Sequence, residues 1–250
     1  MGITFVLSLD LELGGTVPYT ELNCPVPGNE MTSSKLPPTA PAGANNERRS
    51  TRKRKAILKA AATVFIRNGF LGASTDEIAA LAGVSKQTVY KHFSDKKSLF
   101  TEIVTSTVNE VSEPVYNEVL KLQDSGNVEA DLRKLARRQL AGVMQPRLLQ
   151  LRRLVIGEAG RFPDLARRFY ERGPERTVAA LATTFKRLAK RGALQLGDPQ
   201  LAAAHFNWLI MSIPLNQAML LGDDHLPSPK DLDRYADAGV RVFLAAYTPR

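Results

Sequence analysis

Residues 83 to 100, GVSKQTVYKHFSDKKSLF, crowd four lysines, a glutamine, a threonine, a tyrosine and a histidine around the apolar residues Val84, Val89 and Phe93. If the apolar three face inward on a short helix, Lys86, Gln87, Thr88 and Lys91 face outward together. Those side chains suit the edges of base pairs. Glutamine can bond adenine in a bidentate manner, lysine reaches guanine acceptors, and the threonine methyl can touch the thymine methyl. Tyr90, His92, Lys96 and the upstream Thr75 are better matched to phosphate oxygens, which fix register without reading sequence.

These residues need elements to hold them. Ser85 is a good N-cap for the helix that ends near Phe93, and Ser94 is expected to cap the helix after it, running to about Leu122. Upstream, STDEIAALAG pairs Ser74 with Glu77 three residues later, the signature of a capping box, with Ile78 and Leu81 inward and Gly83 closing the helix. Before it, RKRKAILKAAATVFIRNGF sets Ile57, Ala60, Ala61, Val64 and Phe65 on one helical stripe from Arg52, ended by Gly69. Two short helices around a tight turn form a helix-turn-helix, in which the first braces the second and the second enters the major groove. The helix N-termini near Ser74 and Ser85 offer free N–H groups to phosphates. ERRSTRKRK, residues 47–55, would be an electrostatic arm along the backbone or in the minor groove.

Charge supports a local docking surface. The 250-residue chain carries a net charge of +9, and residues 47–100 hold +8 of it. An anionic partner is implied, with nucleic acid ahead of an anionic membrane surface. Residues 52–65 lack the aromatic-rich apolar face that membrane binding requires. The single Cys24 excludes an internal disulfide framework and points to the reducing cytoplasm. No apolar run reaches the roughly 18 residues that span a bilayer. The N-terminal MGITFVLSLDLELGG is not expected to be a signal peptide, because no basic residue precedes the apolar stretch and Asp10 and Glu12 interrupt it. Residues 3–13 alternate like a strand, residues 14–46 have a flexible Gly/Pro/Ser composition, and Met31 is an alternative initiator. No enzyme site emerges: His92, His205 and His225 lack metal-ligand spacing, and neither a nucleophile motif nor a Gly-rich phosphate loop is present, so no cofactor or metal is implied. His205, on an apolar helix, reads as a hydrogen-bonded core histidine.

The remainder reads as helices at about 127–145, 147–159, 163–171, 174–191, 198–221 and 229–246, so the expected fold is all-α. The helix 198–221 is apolar almost all round, broken by Asn207, Ser212, Asn216 and Gln217. One face meets its own domain and another a second subunit, since a helix-turn-helix reader gains spacing specificity as a two-fold dimer. Trp208, Met211 and Met219, with Tyr235 and Phe243 of the last helix, are the expected contacts. Arginines between Arg133 and Arg191 mostly stand at solvated spacings, Arg152–Arg153 among them, and identify no anionic ligand.

The run AAATVFIRNGFLGASTDEIAALAGVSKQTVYKHFSDKKSLF resembles the N-terminal domain of the TetR family of one-component transcriptional regulators. Composition sets apart a flexible extension over 1–50, a departure from the family's usual pattern, and the resemblance implies a three-helix DNA-binding domain over 51–100 and a helical effector-binding and dimerisation domain over 101–250. It places Lys86, Gln87, Thr88, Tyr90, Lys91 and His92 on the DNA-reading helix, and Thr75 and Lys96 at phosphates. GEAGRFPDLARRFYERGPER resembles the regulatory domain of one TetR subgroup. The partners implied are an operator in double-stranded DNA, a small-molecule effector and a second copy of the chain. Met144, Phe162, Phe169, Tyr170 and Phe185 are the expected pocket lining. The competing reading is a constitutive or architectural DNA-binding protein with no ligand and a filled C-terminal core.

Overall fold

The computed structural model describes residues 42–249, and every regular element among them is helical. The strand-like pattern of residues 3–13 and the Met31 question lie outside the described residues. No described helix is long and apolar enough to cross a membrane.

The first helix, α1, spans Ala42–Gly72, ten residues earlier than the stripe from Arg52 suggests. Residues 47–55 are therefore its opening turns and not an extended arm. The cause is local: residues 44–68 contain neither Gly nor Pro, and Arg and Lys are good helix formers. Arg54 is not free either, since it pairs with Glu102 at 2.9 Å and lies over the Phe93 ring at 5.1 Å. Gly69, at φ 70° and ψ 175°, breaks the helix where the sequence ends it.

Next come α2 (Thr75–Ala82), α3 (Lys86–His92) and the long α4 (Lys96–Lys121). Then follow α5 (Val128–Val143), α6 (Pro146–Gly157), α7 (Pro163–Tyr170), α8 (Arg176–Lys190), α9 (Pro199–Leu221) and α10 (Pro229–Tyr247). A π-turn, Glu171–Glu175, joins α7 to α8, so no break falls at Pro174. Proline has no N–H to give the ladder, and the wider register carries the helix past its ring.

Two interiors share α4. One gathers Ile57, Phe65 and Phe70 of α1, Ile78 of α2, Val89 of α3 and the first half of α4, and it includes Leu151 of α6 and Phe169 of α7. The other joins the second half of α4 to α5, α8, α9 and α10 around Phe185, Phe206 and Phe243. Those three rings stand 5.1–5.7 Å apart. Close packing of α9 on α10 depends on Gly239, where a Cβ would lie 2.6 Å from Ile210 Cγ2 and 3.0 Å from the Leu209 backbone.

Candidate nucleic-acid interface and the cavity behind it

The turn between α2 and α3 is built from backbone bonds. Gly83 at φ 65°, ψ 37° takes the left-handed conformation that glycine adopts without steric cost. Val84 N–H donates to Ala79 O and Gly83 N–H to Ala80 O, a Schellman closure. Ser74 Oγ accepts from Asp76 N and Glu77 N, half of the expected capping box. The other half is not made, because Glu77 is drawn to Asn68 Nδ2 at 2.8 Å and to Arg67. At α4 the cap is Asp95, not Ser94: Asp95 accepts from Ser98 N at 2.6 Å while Ser98 Oγ accepts from Asp95 N.

On α3, Val89 and Phe93 are buried and Val84 is half-buried below them. Lys86, Gln87, Tyr90 and Lys91 share the exposed face, while Thr88 and His92 flank it half-buried. Two of these groups are already engaged. The Thr88 hydroxyl sits 2.9 Å from Ser85 Oγ, the N-cap of the same helix. Lys86 Nζ donates to Asp76 Oδ2 at 2.9 Å, and that hydrogen bond and charge hold its pKa above the ordinary lysine value. Solvent screens such an exposed pair, so little is lost when it is released on contact with a base. Thr75 begins α2, half-buried. Lys96 reaches back to the α1–α2 corner, donating to Leu71 O at 3.3 Å and Ala73 O at 3.0 Å with Phe70 beneath it at 4.7 Å. An ammonium has three donors, so one remains for a phosphate.

Behind this face, a cavity of about 50 Å³ lies between α4, α5, α6, the π-turn and α9. Its walls are Val108, Val111, Val115, Val143, Leu148, Phe169, Trp208, Met211 and Leu215, with Ser112, Gln139, Arg152, Thr177 and Asn207 as the polar groups. Of the five side chains expected to line a pocket, Phe169 alone lines this cavity. Phe162 instead packs its edge on Phe70 at 4.6 Å, Met144 and Phe185 fill the C-terminal core, and Tyr170 is exposed. The residues that carry polarity into the cavity were not singled out by the sequence. Gln139 donates to Asn207 Oδ1 at 2.8 Å, but its own Oε1, Ser112 Oγ and Arg152 Nε are sealed from solvent without partners. Burial lowers the Arg152 pKa from its ordinary value. The adjacent Arg153 bonds Ala218 O at 2.8 Å and pairs with Asp223, so neighbouring arginines have opposite fates.

The outer face of α9 carries a stripe of exposed apolar side chains: Leu201, Trp208, Leu209, Ile213 (54%) and Leu220 (76%), with Val242 of α10 also exposed. Of the side chains expected at a subunit contact, Trp208 lies on that stripe, and Met219 and Tyr235 are half-buried. Met211 and Phe243 point inward, Met211 to the cavity and Phe243 to the aromatic core. His205 is on the exposed side of α9, its Nδ1 2.7 Å from the Tyr247 hydroxyl, so it is hydrogen-bonded but not a core residue.

A basic helix-turn-helix seated on an all-helical body defines a DNA-binding transcriptional regulator. Residues 57–103 match the family model for bacterial regulatory proteins of the tetR family, and residues 130–249 match that for the C-terminal domain of AefR-like transcriptional repressors. The solved structure of a TetR-family regulator from Mesorhizobium loti is 46% identical, covers 80% of this chain and 99% of that one, and superposes with a TM-score of 0.74. The flavonoid-responsive regulator FrrA is 33% identical over 80% of this chain and 99% of its own, with a TM-score of 0.63. The transcriptional activator FasR of Mycolicibacterium smegmatis is 42% identical over 74 residues, 28% of this chain and 33% of that protein. The chain belongs to the TetR family of transcriptional regulators.

Proposed function

We propose that the protein is a homodimeric repressor that a small molecule releases from its operator. In this reading Gln87, Lys86 and Lys91 contact base edges. Thr75, Tyr90, His92 and the third donor of Lys96 meet phosphates, and Thr88 turns its methyl to a thymine. The basic first turns of α1, with Arg48, Arg49, Arg52 and Lys55, add sequence-independent attraction.

The observation that carries effector response is that cavity and reading head share walls. Leu148 and Phe169 line the cavity and belong to the same core as Phe70 and Val89. A ligand that favours one placement of α6 and α7 thereby biases α1 and α4, on which α2 and α3 rest. Such coupling is a differential affinity for two states and is reciprocal: DNA weakens effector binding by the same factor. The exposed stripe of α9 with Val242 supports a two-fold contact between copies, which sets the spacing of two α3 helices at about one turn of DNA, 34–36 Å. The description of the matched C-terminal family supports repression, and the name of FrrA supports control by a small molecule.

Fluorescence anisotropy on duplexes from the protein's own upstream region, against a scrambled duplex at several salt concentrations, tests the reading. Salt-sensitive, sequence-preferring binding with two protomers per site is expected. Equal affinity for both duplexes, or one protomer per site, overturns it.

A further inference from the structure

The cavity is mostly apolar, yet it contains the guanidinium of Arg152 with no acidic side chain in its lining among the described residues. Arg152 forms no ion pair and no side-chain hydrogen bond among those residues; its guanidinium lies 5.3 Å from the Phe169 ring centre, and its Nε is sealed. A cation partly withdrawn from water without a counter-charge destabilises the fold that holds it. Gln139, 3% exposed, and Ser112, 7% exposed, each leave an oxygen unbonded beside it. These three groups are on three different helices, α6, α5 and α4, and converge on one space.

We propose that the effector is a small monoanionic amphiphile, a carboxylate on a compact apolar body, with its anionic group on Arg152 and its body against Val111, Val115, Phe169 and Met211; such a body is larger than the cavity of about 50 Å³, so binding it moves the walls apart. The proposal deepens the ligand-responsive reading above and rests on it. One cation calls for one negative charge, and the apolar walls exclude a polyanion, whose remaining charges would be stranded. A guanidinium fork matches a carboxylate in a bidentate manner. Gln139 Oε1 can accept from a ligand hydroxyl and Ser112 Oγ can serve in either role, so a hydroxylated acid is held better than its parent. Phe169 on α7 and Arg152 on α6 make the charged end of the ligand act on the helices that also support the reading head.

The test uses the full chain and matched probes: phenylacetate, 2-phenylethanol and 2-phenylethylammonium, then hexanoate, hexan-1-ol and hexylammonium. Two readouts run together, the melting temperature and the emission of Trp208, the chain's single tryptophan, which lines the cavity. A carboxylate is expected to raise the melting temperature and change the emission, with its alcohol and ammonium counterparts giving little of either. Arg152→Met removes that preference, and Arg152→Lys keeps part of it. Without any probe, Arg152→Met melts about 2–4 °C higher than the parent, because an unpaired charge has left the interior. Three results each overturn the proposal: no response to either carboxylate, a carboxylate response that survives Arg152→Met, or a lower melting temperature of the ligand-free Arg152→Met protein. The assay contains no DNA. Carboxylate binding through Arg152 with an operator complex indifferent to it would keep this inference and remove the release mechanism instead.

Discussion

The two halves of α4 face different kinds of interior. Around its first half, Phe65, Phe70, Phe100 and Phe162 form one aromatic cluster with ring centres 4.6–6.1 Å apart, and the one sealed, unbonded atom on that half, Thr107 Oγ1, lies near its end, past the cluster's Phe100. Around its second half, Ser112 faces a cavity with Gln139 and Arg152, each with an unbonded polar atom. The aromatic cluster is closely packed and can hold the reading helix in one position. The second interior leaves polar groups without partners, and a bound molecule can supply them. A region that must respond to a ligand is drawn from the less fully satisfied part of a fold.

The most direct way to break the comparison is Phe100→Ala against Met211→Ala. Phe100 is fully buried in the aromatic cluster, and its loss is expected to cost about 3–5 kcal/mol, seen as a large fall in denaturant midpoint. Met211 already borders empty space, so its truncation removes fewer contacts and is expected to fall near the lower end of the 2–5 kcal/mol range. Equal costs would mean that the two interiors are packed alike.

Gly239→Ala probes the outer side of the second interior. Its Cβ has no room beside Ile210 and the Leu209 backbone, so α9 and α10 must move apart at a cost of about 1–3 kcal/mol. Because Leu209 is also on the exposed stripe, the dimer proposed through that stripe should be weaker by sedimentation than in the parent at equal concentration. An unchanged dimer constant would remove α9 and α10 from the subunit contact.

Within the reading head, Gln87→Ala and Lys96→Ala separate two kinds of DNA contact. Gln87 has no side-chain partner among the described residues, and its loss should cost about 1–3 kcal/mol of discrimination at one base pair per half-site, read by competition with single-base operator variants. Lys96→Ala should lower affinity on all duplexes alike and reduce the salt slope by about one. It should also lower the melting temperature, because its ammonium ties Leu71 and Ala73 to the start of α4. A lower melting temperature with an unchanged salt slope would assign Lys96 to the α1–α2 corner alone.

What the sequence makes legible here is local. Gly69, Gly83, Ser85 and the inward set of Val89 and Phe93 are set by residues within one or two turns, and local chemistry decides them. The misses have tertiary causes or close local rivals. Ser94 and Asp95 are both good caps, and the reciprocal bond with Ser98 selects the second. Glu77 would complete a capping box if Arg67 and Asn68 did not face it across the α1–α2 corner. A helix as uniformly apolar as α9 does not declare which face is outward, so Met211 and Leu209 could not be told apart. Arg152 and Arg153 look like one solvated pair in sequence. They are about 100° apart around α6, enough to send one to Asp223 and the other to the cavity.

The smallest expected effect sets the pH limits of the two regions against each other. In the C-terminal half, the hydrogen bond from Arg153 holds the Asp223 carboxyl below its ordinary range, opposed by burial and aided by Gln150. A depressed folded-state pKa contributes stability that is present above the unfolded value, near 3.9, and is lost as pH falls through the folded value. Asp223→Asn should therefore flatten the acid-side loss of stability below about pH 4, by about 1 kcal/mol or less for a pair this close to the surface. In the reading head the sign is reversed. Asp76 raises the Lys86 pKa, so that pair contributes below the unfolded lysine value and is lost only as pH rises through a higher one, on the alkaline side. Melting curves of Asp223→Asn and Asp76→Asn from pH 3 to 11 should lie below the parent at neutral pH and converge with it at opposite ends, acid for Asp223→Asn and alkaline for Asp76→Asn. An Asp76→Asn difference that persists undiminished at the alkaline end would show that Asp76 acts through the N-terminus of α2 and not through Lys86.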